Sequence, residues 1–508
     1  MGAGLATLNI KSPCAVTVLI QSVGTRTAAG SYKNGASICR PVHSRKISIK
    51  MDTKSSASKE SLSVISLETL NMSSTVKLAG QKDEYDPFEH RQVEHPNSDI
   101  GALAHLLKSS LGTGVLAMPM AFLNGGLAFS LAGTIIVGLI CTHCVHILVK
   151  SSQDLCRREQ IPSLGFAETA EVAFSSGPPQ FRKFSTAGRK FVNGALLATY
   201  YSALCVYIVF VARSIQQVAD HYMEEEGIEK IDIRVYIPML LVALVPISLV
   251  RDLKYLVPFS ALANVFILVS FAITLYYMFN QEPNTEGTEM IAPAEKIPLF
   301  FATVIFAMEG IGVVMPLENS MKKPGHFLGC PGILNIAMFI VVFLYAAIGF
   351  FGYLRFKGKV EASVTLNLPT EEVLAQVVKL LYAAAILFSY GLQYYIPTSI
   401  AWPNIKPMFR ESFQYTAEMI FRVVVCCITV AVAAAVPNLG PIISLVGALC
   451  FSTLGLFCPA MIETITCWNT GLGRGNWRLW KNCLIMVFAV CALVAGSYVS
   501  ILEIIDTY

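Results

Sequence analysis

The chain has 508 residues, 54% of them hydrophobic and only 14% charged, with a formal net charge of +4. A soluble domain carries roughly 25% charged residues, so the composition excludes a soluble enzyme. The small net charge, with no basic stripe carrying interleaved aromatics, excludes a nucleic-acid partner.

Residues 1–99 hold 15 serines, scattered Lys and Arg and no sustained periodicity. Such a segment buries too little apolar surface to offset its ordering entropy, and it reads as a disordered cytoplasmic tail. Ala15 to Ile20 lacks the basic flank and cleavage site of a signal peptide, and Ala6 stands where a myristoylation motif needs Ser or Thr. Tyr85-Asp-Pro-Phe88 has the tyrosine-plus-bulky-apolar spacing of a sorting signal, which makes the tail a candidate segment for cytoplasmic sorting or signalling partners.

Residues 100–508 read as an all-α integral membrane domain. Apolar runs of about 20 residues span the roughly 30 Å hydrocarbon core at about 1.5 Å per residue, and their continuity excludes the alternation of a membrane barrel. Eleven spans are predicted, near 100–123, 126–149, 190–218, 234–250, 255–279, 297–319, 331–354, 371–396, 414–437, 440–463 and 481–503. Lysine and arginine are retained on the cytoplasmic side. With the tail inside, the cytoplasmic connections hold sixteen of them, including Arg157, Arg158, Arg251 and Lys481, against six in the opposite connections. That ratio puts the N-terminus in the cytoplasm and the C-terminus outside the cell or in a lumen.

The opposite connections are acidic, with Asp220, Glu224, Glu225, Glu226, Glu229 and Asp232 in one and Glu282, Glu286, Glu289 and Glu295 in the next. They read as a solvated face; as an alternative, their charge raises local proton and cation concentration at the mouth. Those connections contain no cysteine, so no extracellular disulfide is expected. Most of the fourteen cysteines, Cys205, Cys426 and Cys450 among them, lie inside spans as small buried hydrophobes. Cys141, His143, Cys144 and His146 are metal-ligand types but lack a second ligand pair, so no metal or other cofactor is expected.

Two spans carry matching interruptions. Gly112-Thr113-Gly114 runs on to Met118-Pro119 in the first, and Gly310-Ile311-Gly312 to Met315-Pro316 in the sixth, 198 residues later. Glycine permits unwinding and proline removes a donor, while unwound backbone at membrane depth is tolerated only where it is buried or lines a cavity. An odd number of spans separates the two, so the matching helices cross in opposite directions. This is the mark of a 5+5 inverted repeat, about 100–279 and about 297–463, with an extra helix about 481–503. Half-helix N-termini suit a carboxylate and exposed carbonyls an ammonium, so the breaks predict a zwitterion site. Backbone of Gly112 to Gly114 is expected to hold the carboxylate, and backbone from Phe306 to Gly310 the ammonium.

The stretch His105-Leu-Leu-Lys108-Ser-Ser-Leu-Gly112-Thr-Gly114-Val-Leu-Ala-Met-Pro119 resembles the first-helix signature of the proton-coupled amino acid transporters, within the amino acid/auxin permease superfamily. Phe306-Ala-Met-Glu309-Gly-Ile-Gly-Val-Val-Met-Pro-Leu-Glu318-Asn319 resembles their sixth-helix signature. The resemblance covers the chain from about residue 85 to the end. It implies the LeuT-like fold, symport of small neutral amino acids with protons as the coupling ion, and a plasma-membrane or endolysosomal location. The disulfide of vertebrate members is not carried over, since the cysteines are missing.

Ionisable groups within spans are functional hypotheses. His105 lies seven residues before Gly112, about two turns, and is expected to face the same interior. Its ordinary pKa near 6.5 suits a proton carrier, and the resembled family has a coupling histidine at this motif position. Glu309, beside the second break, is expected to pair with a substrate ammonium or share the proton. Tyr200 and Tyr201 in span 3, with Tyr390 and Gln393 in span 8, would approach spans 1 and 6 in a LeuT-like fold, joining Gly112, Thr113, Gly114, Phe306, Gly310 and Gly312 in the substrate site. Glu318 and Glu463 read as structural, and Arg213, Lys379 and Arg422 as snorkelling groups near span ends. The competing readings are a sodium-coupled or facilitative carrier, with Ser109, Ser110 and Thr113 as oxygen ligands, and an amino-acid sensor signalling through its tail.

Overall fold

The structure, a computed structural model, describes Tyr85 to Thr507 apart from residues 94, 95, 111, 281–284 and 309. Residues 1–84, which hold most of the expected tail, lie outside the described residues. The described part is helical, with one isolated bridge between Asn97 and Met321.

The first span is α1 (Asp99–Ser110) followed by α2 (Thr113–Gly125), bent by 50° at the break. Gly126 then turns the chain into α3 (Leu127–Glu159). Its φ of +83° suits glycine, and a side chain there would meet the Ile291 backbone at 2.7 Å. A short helix, α4 (Phe166–Ser176), starts where Glu168 accepts from the Gly165 amide at 3.0 Å. The third span, α5 (Ser185–Glu225), is followed by α6 (Ile233–Met239) and α7 (Leu241–Ser248), then α8 (Leu253–Phe279). Span 6 is α9 (Ile297–Ala307) plus α10 (Ile311–Asn319), and α11 (Ile333–Phe356), α12 (Val373–Ile405) and α13 (Gln414–Ala435) follow. Span 10 begins as α14 (Leu439–Val446), runs through a π-helical stretch Gly447–Phe457 and ends as α15 (Cys458–Trp468); α16 (Trp477–Thr507) is last.

Among the described residues nine helices are long and apolar enough to cross a membrane, and the bent first span makes ten. The fourth expected span, 234–250, is the exception. Its residues form α6 and α7, and the apolar stretch Ile233–Ser248 is too short by that measure, at about 24 Å for its length. Pro238 and Pro246 lie inside the two pieces and each removes a helix hydrogen bond.

The broken spans form the centre. Phe122, Phe300 and Phe306 are fully enclosed there, as are Tyr345 and Tyr382. Small residues allow the helices to approach closely, as expected where packing rather than hydrophobic transfer holds spans together. A Cβ at Gly447 would meet the Ala302 carbonyl at 2.0 Å, and one at Gly349 the Phe122 ring at 2.3 Å.

Of the three residues expected to snorkel, Lys379 and Arg422 are buried and Arg213 is half-buried. Lys379 is 1% exposed and donates to Gln217 at 2.9 Å. Arg422, 4% exposed, bonds Glu418 and the Ser248 and Val250 carbonyls, and Arg213 donates to Gln216 at 2.9 Å. Neighbouring helices cover these positions, so their heads find partners within the bundle rather than at its ends.

Candidate functional site

Spans 1, 3, 6, 8 and 10 converge on a cavity at the two breaks. α1 contributes Ser109; α5 contributes Leu196, Thr199 and Tyr200; the second break contributes Gly310, Gly312 and Val313. Gln393 of α12 and Phe451 and Leu454 of the π-helical stretch complete the wall. The cavity measures about 20 Å³, room for about one water, so the wall is drawn in on itself.

Two helix ends face this space, the C-terminus of α1 and the N-terminus of α10. Gly310 takes φ 153°, a value that favours glycine, and its carbonyl accepts from Val313 at 3.0 Å. The first amides of α10 have no intrahelical acceptor and carry partial positive charge, while the last carbonyls of α1 carry partial negative charge. Gln393 Oε1 is buried without a hydrogen-bond partner among the described residues. An orphaned buried acceptor is costly, and here it belongs to a residue of the cavity wall, where a ligand donor would satisfy it.

The expected site residues divide. Tyr200, Gly310, Gly312 and Gln393 line the cavity. A Cβ on Gly312 would fall 2.6 Å from the Tyr200 hydroxyl, so glycine there lets the tyrosine rest on the break. Thr113 is buried, and Gly114 packs so closely that a Cβ would lie 2.7 Å from Ala307 Cα. Phe306 stands behind the wall, edge-on to Phe451 at 5.8 Å. Gly112 does not present a free carbonyl: Tyr382 donates to it at 3.3 Å, and Tyr345 donates to the Ser110 carbonyl. Gly112, Thr113 and Gly114 do not line this cavity.

Two tyrosines are displaced from the expected arrangement. Tyr390 donates to Cys426 Sγ at 3.6 Å and stacks on Tyr394 at 5.7 Å, and Tyr201 meets Tyr394 edge-on at 6.4 Å. Both rings are structural neighbours of α13 and α12 rather than wall residues. Gln393 lies three positions after Tyr390, and it is Gln393 that the packing turns inward.

His105 is exposed, contrary to the enclosed position expected. It precedes Ser109 by one turn on the same flank of α1, and Ser109 lines the cavity. Lys108 donates to Ser260 of α8 at 2.8 Å. Glu309 lies outside the described residues. The histidine cluster of α3 is tied to an ion pair: Lys481 donates to His143 Nε2 at 2.8 Å and to Glu463 at 2.7 Å.

The family of transmembrane amino acid transporter proteins matches residues 95–502, which include every wall residue of the cavity. The chain belongs to that family. The transporter is 41% identical over 431 residues to the proton-coupled amino acid transporter-like protein pathetic of Drosophila melanogaster, a match covering 85% of this chain and 90% of that one. It is 28% identical over 422 residues to vacuolar amino acid transporter 3 of Saccharomyces cerevisiae, covering 81% and 58% respectively. Among solved structures, Mhp1 in its inward-facing conformation aligns over 82% of this chain and 91% of its own, at a TM-score of 0.47 and 12% identity. The relatives are named as transporters, and this multi-pass chain has a transport role rather than an enzymatic one.

Leu196, Thr199, Val313, Phe451 and Leu454 are wall residues that the sequence reading missed. Gly447 and Gly455, bracketing Phe451 and Leu454, were the one visible signal of irregular backbone in span 10.

Proposed function

We propose that the protein is a secondary active transporter that carries small neutral amino acids together with protons by alternating access around the two breaks. The observation that carries this reading is the cavity wall: an α10 N-terminus suited to a carboxylate, an α1 C-terminus suited to an ammonium, and the orphaned Gln393 Oε1 as a further acceptor. This polarity differs from the assignment expected from the motifs alone, because Gly112 to Gly114 do not line the cavity. With no ionised side chain among the described wall residues, a zwitterion without net charge suits it best.

His105 is the proton carrier in this reading. It lies one turn from Ser109 on an exposed flank of α1, and its imidazole is a group that can take up and release a proton. The basic connections favour a cytoplasmic N-terminus, and the membrane in this reading is the plasma membrane or that of an acidic endolysosomal compartment. The relative named as vacuolar favours the second.

In cells expressing the protein at their surface, glycine, alanine or proline evokes inward current without sodium, several-fold larger at about pH 5.5 than at about pH 7.5. In a surface-expressed His105→Ala the acid stimulation disappears. Sodium-dependent current, or acid stimulation that survives the substitution, contradicts the coupling assigned here.

A further inference from the structure

The segment before α1, which composition assigns to the tail, is tied into the bundle at the end opposite the break. Arg91 reaches the C-terminal end of α10. Its Nη1 lies 3.1 Å from Glu318 Oε2 and donates to the Glu318 carbonyl at 3.2 Å, while Nη2 donates to Oε1 at 3.3 Å. Nε donates to the Pro162 carbonyl at 2.9 Å, and Gln153 of α3 donates to Glu318 Oε1 at 2.8 Å. The two charged side chains are 6% and 1% exposed. A second set of bonds pins the start of α1 itself. The Asn97 amide donates to the Ser320 carbonyl at 2.8 Å, the Lys322 amide to the Asn97 carbonyl at 2.9 Å, and Asp99 meets His326 at 2.7 Å.

These contacts sit at the outer ends of the two short helices whose inner ends form the cavity. α1 spans about 18 Å from its pinned start to the break, and Glu318 lies six residues, about 9 Å, beyond Gly312. A helix fixed at one end and joined to a bent, glycine-containing break at the other is a lever. For the cavity to open toward the Arg91 end, α1 and α10 must part, and the segment carrying Arg91 and Asn97 bonds the end of α10 and runs directly into α1. Separating a buried ion pair without replacing its partners is costly, so the pair sets how often that end opens.

We propose, building on the transport reading above, that Arg91 with Gln153 holds Glu318 as a latch on the opening of the cavity toward this face. Arg91 and Gln153 are positioning residues: they act through Glu318 and touch no substrate. The planar guanidinium makes four bonds here that a lysine ammonium cannot reproduce.

The test is the rate at which a membrane-impermeant maleimide modifies a cysteine placed in the cavity wall, Thr199→Cys, in vesicles presenting the Arg91 face outward, quantified on the modified peptide by mass spectrometry. Arg91→Ala is expected to speed modification about tenfold or more, Gln153→Ala about threefold, and Arg91→Lys to fall between wild type and Arg91→Ala. Arg189→Ala, which removes an exposed pair with Glu171, leaves the rate unchanged. An unaltered rate in a folded Arg91→Ala overturns the latch, and if that variant does not fold, an unaltered rate in Gln153→Ala does so. Labelling needs no transported substrate, so a chain that moves no amino acid still reports on the latch, while transport with unchanged labelling removes the latch alone.

Discussion

Gly114→Ala abolishes amino acid uptake while the protein still reaches the membrane. The added Cβ would lie 2.7 Å from Ala307 Cα and 3.0 Å from the Ala307 carbonyl oxygen. Both are backbone atoms, so no side-chain rotation relieves the clash, and α2 and α9 must separate at the point where the two broken spans cross. Overpacking of this kind costs about 1–3 kcal/mol, and the displacement falls on the ends of α2 and α9 at the two breaks, next to the cavity. Gly112 is the matched control. A Cβ there meets nothing nearer than the Tyr207 hydroxyl at 3.9 Å, so Gly112→Ala keeps roughly half or more of wild-type uptake by the same packing argument. Uptake normalised to surface protein separates the two; equal losses would contradict the packing described.

Arg422→Met destabilises the bundle more than any exposed charge removal. Arg422 joins Glu418 to the end of span 4 through the Ser248 and Val250 carbonyls, each at 3.1 Å, with both charged side chains under a tenth exposed. Its loss orphans two carbonyls and leaves Glu418 to Arg251 alone, which bonds it at 2.8 Å. Removing one partner from a buried ionic cluster costs about 3–5 kcal/mol, which lowers the melting temperature of the purified protein by roughly 10 °C on the scaling of about 2–4 °C per kcal/mol. Arg251→Met, at a side chain 45% exposed, lowers it by only a few degrees, since an exposed pair contributes about 1 kcal/mol at most.

The spans and their breaks were legible because a bilayer demands long apolar runs and punishes interruption, so Gly112, Gly114, Gly310 and Gly312 stand out against their surroundings. At 234–250 hydropathy registers a run of that length, while Pro238 and Pro246 divide it into α6 and α7, a division hydropathy does not report. Position along a span also fails to report lateral cover. Arg422 and Lys379 lie near enough to span ends to snorkel, yet α7 and α5 place acceptors beside them. His105 was assigned an interior face by its seven-residue spacing from Gly112, but the helix ends before Gly112 and the chain bends by 50°, so the phase does not carry across the break. Tyr390 and Gln393 share a helix and a polar character; only the packing of Tyr390 on Tyr394 and Cys426 decides which one meets the cavity. Arg91 lay hidden for a compositional reason, since a serine-rich tail gives no sign that its last residues turn back onto α10.

The central claim is that an amino acid binds in the cavity between α10 and α1. It is tested most directly by the thermal stability of purified protein titrated with glycine, alanine or proline, in wild type and in Gly312→Val, whose side chain would occupy the space beside the Tyr200 hydroxyl. A ligand that binds only the folded state stabilises it by about 2.7 kcal/mol at a hundredfold excess over its Kd. A saturable rise in melting temperature is expected for wild type and none for a folded Gly312→Val. An equal rise in both would place the amino acid elsewhere.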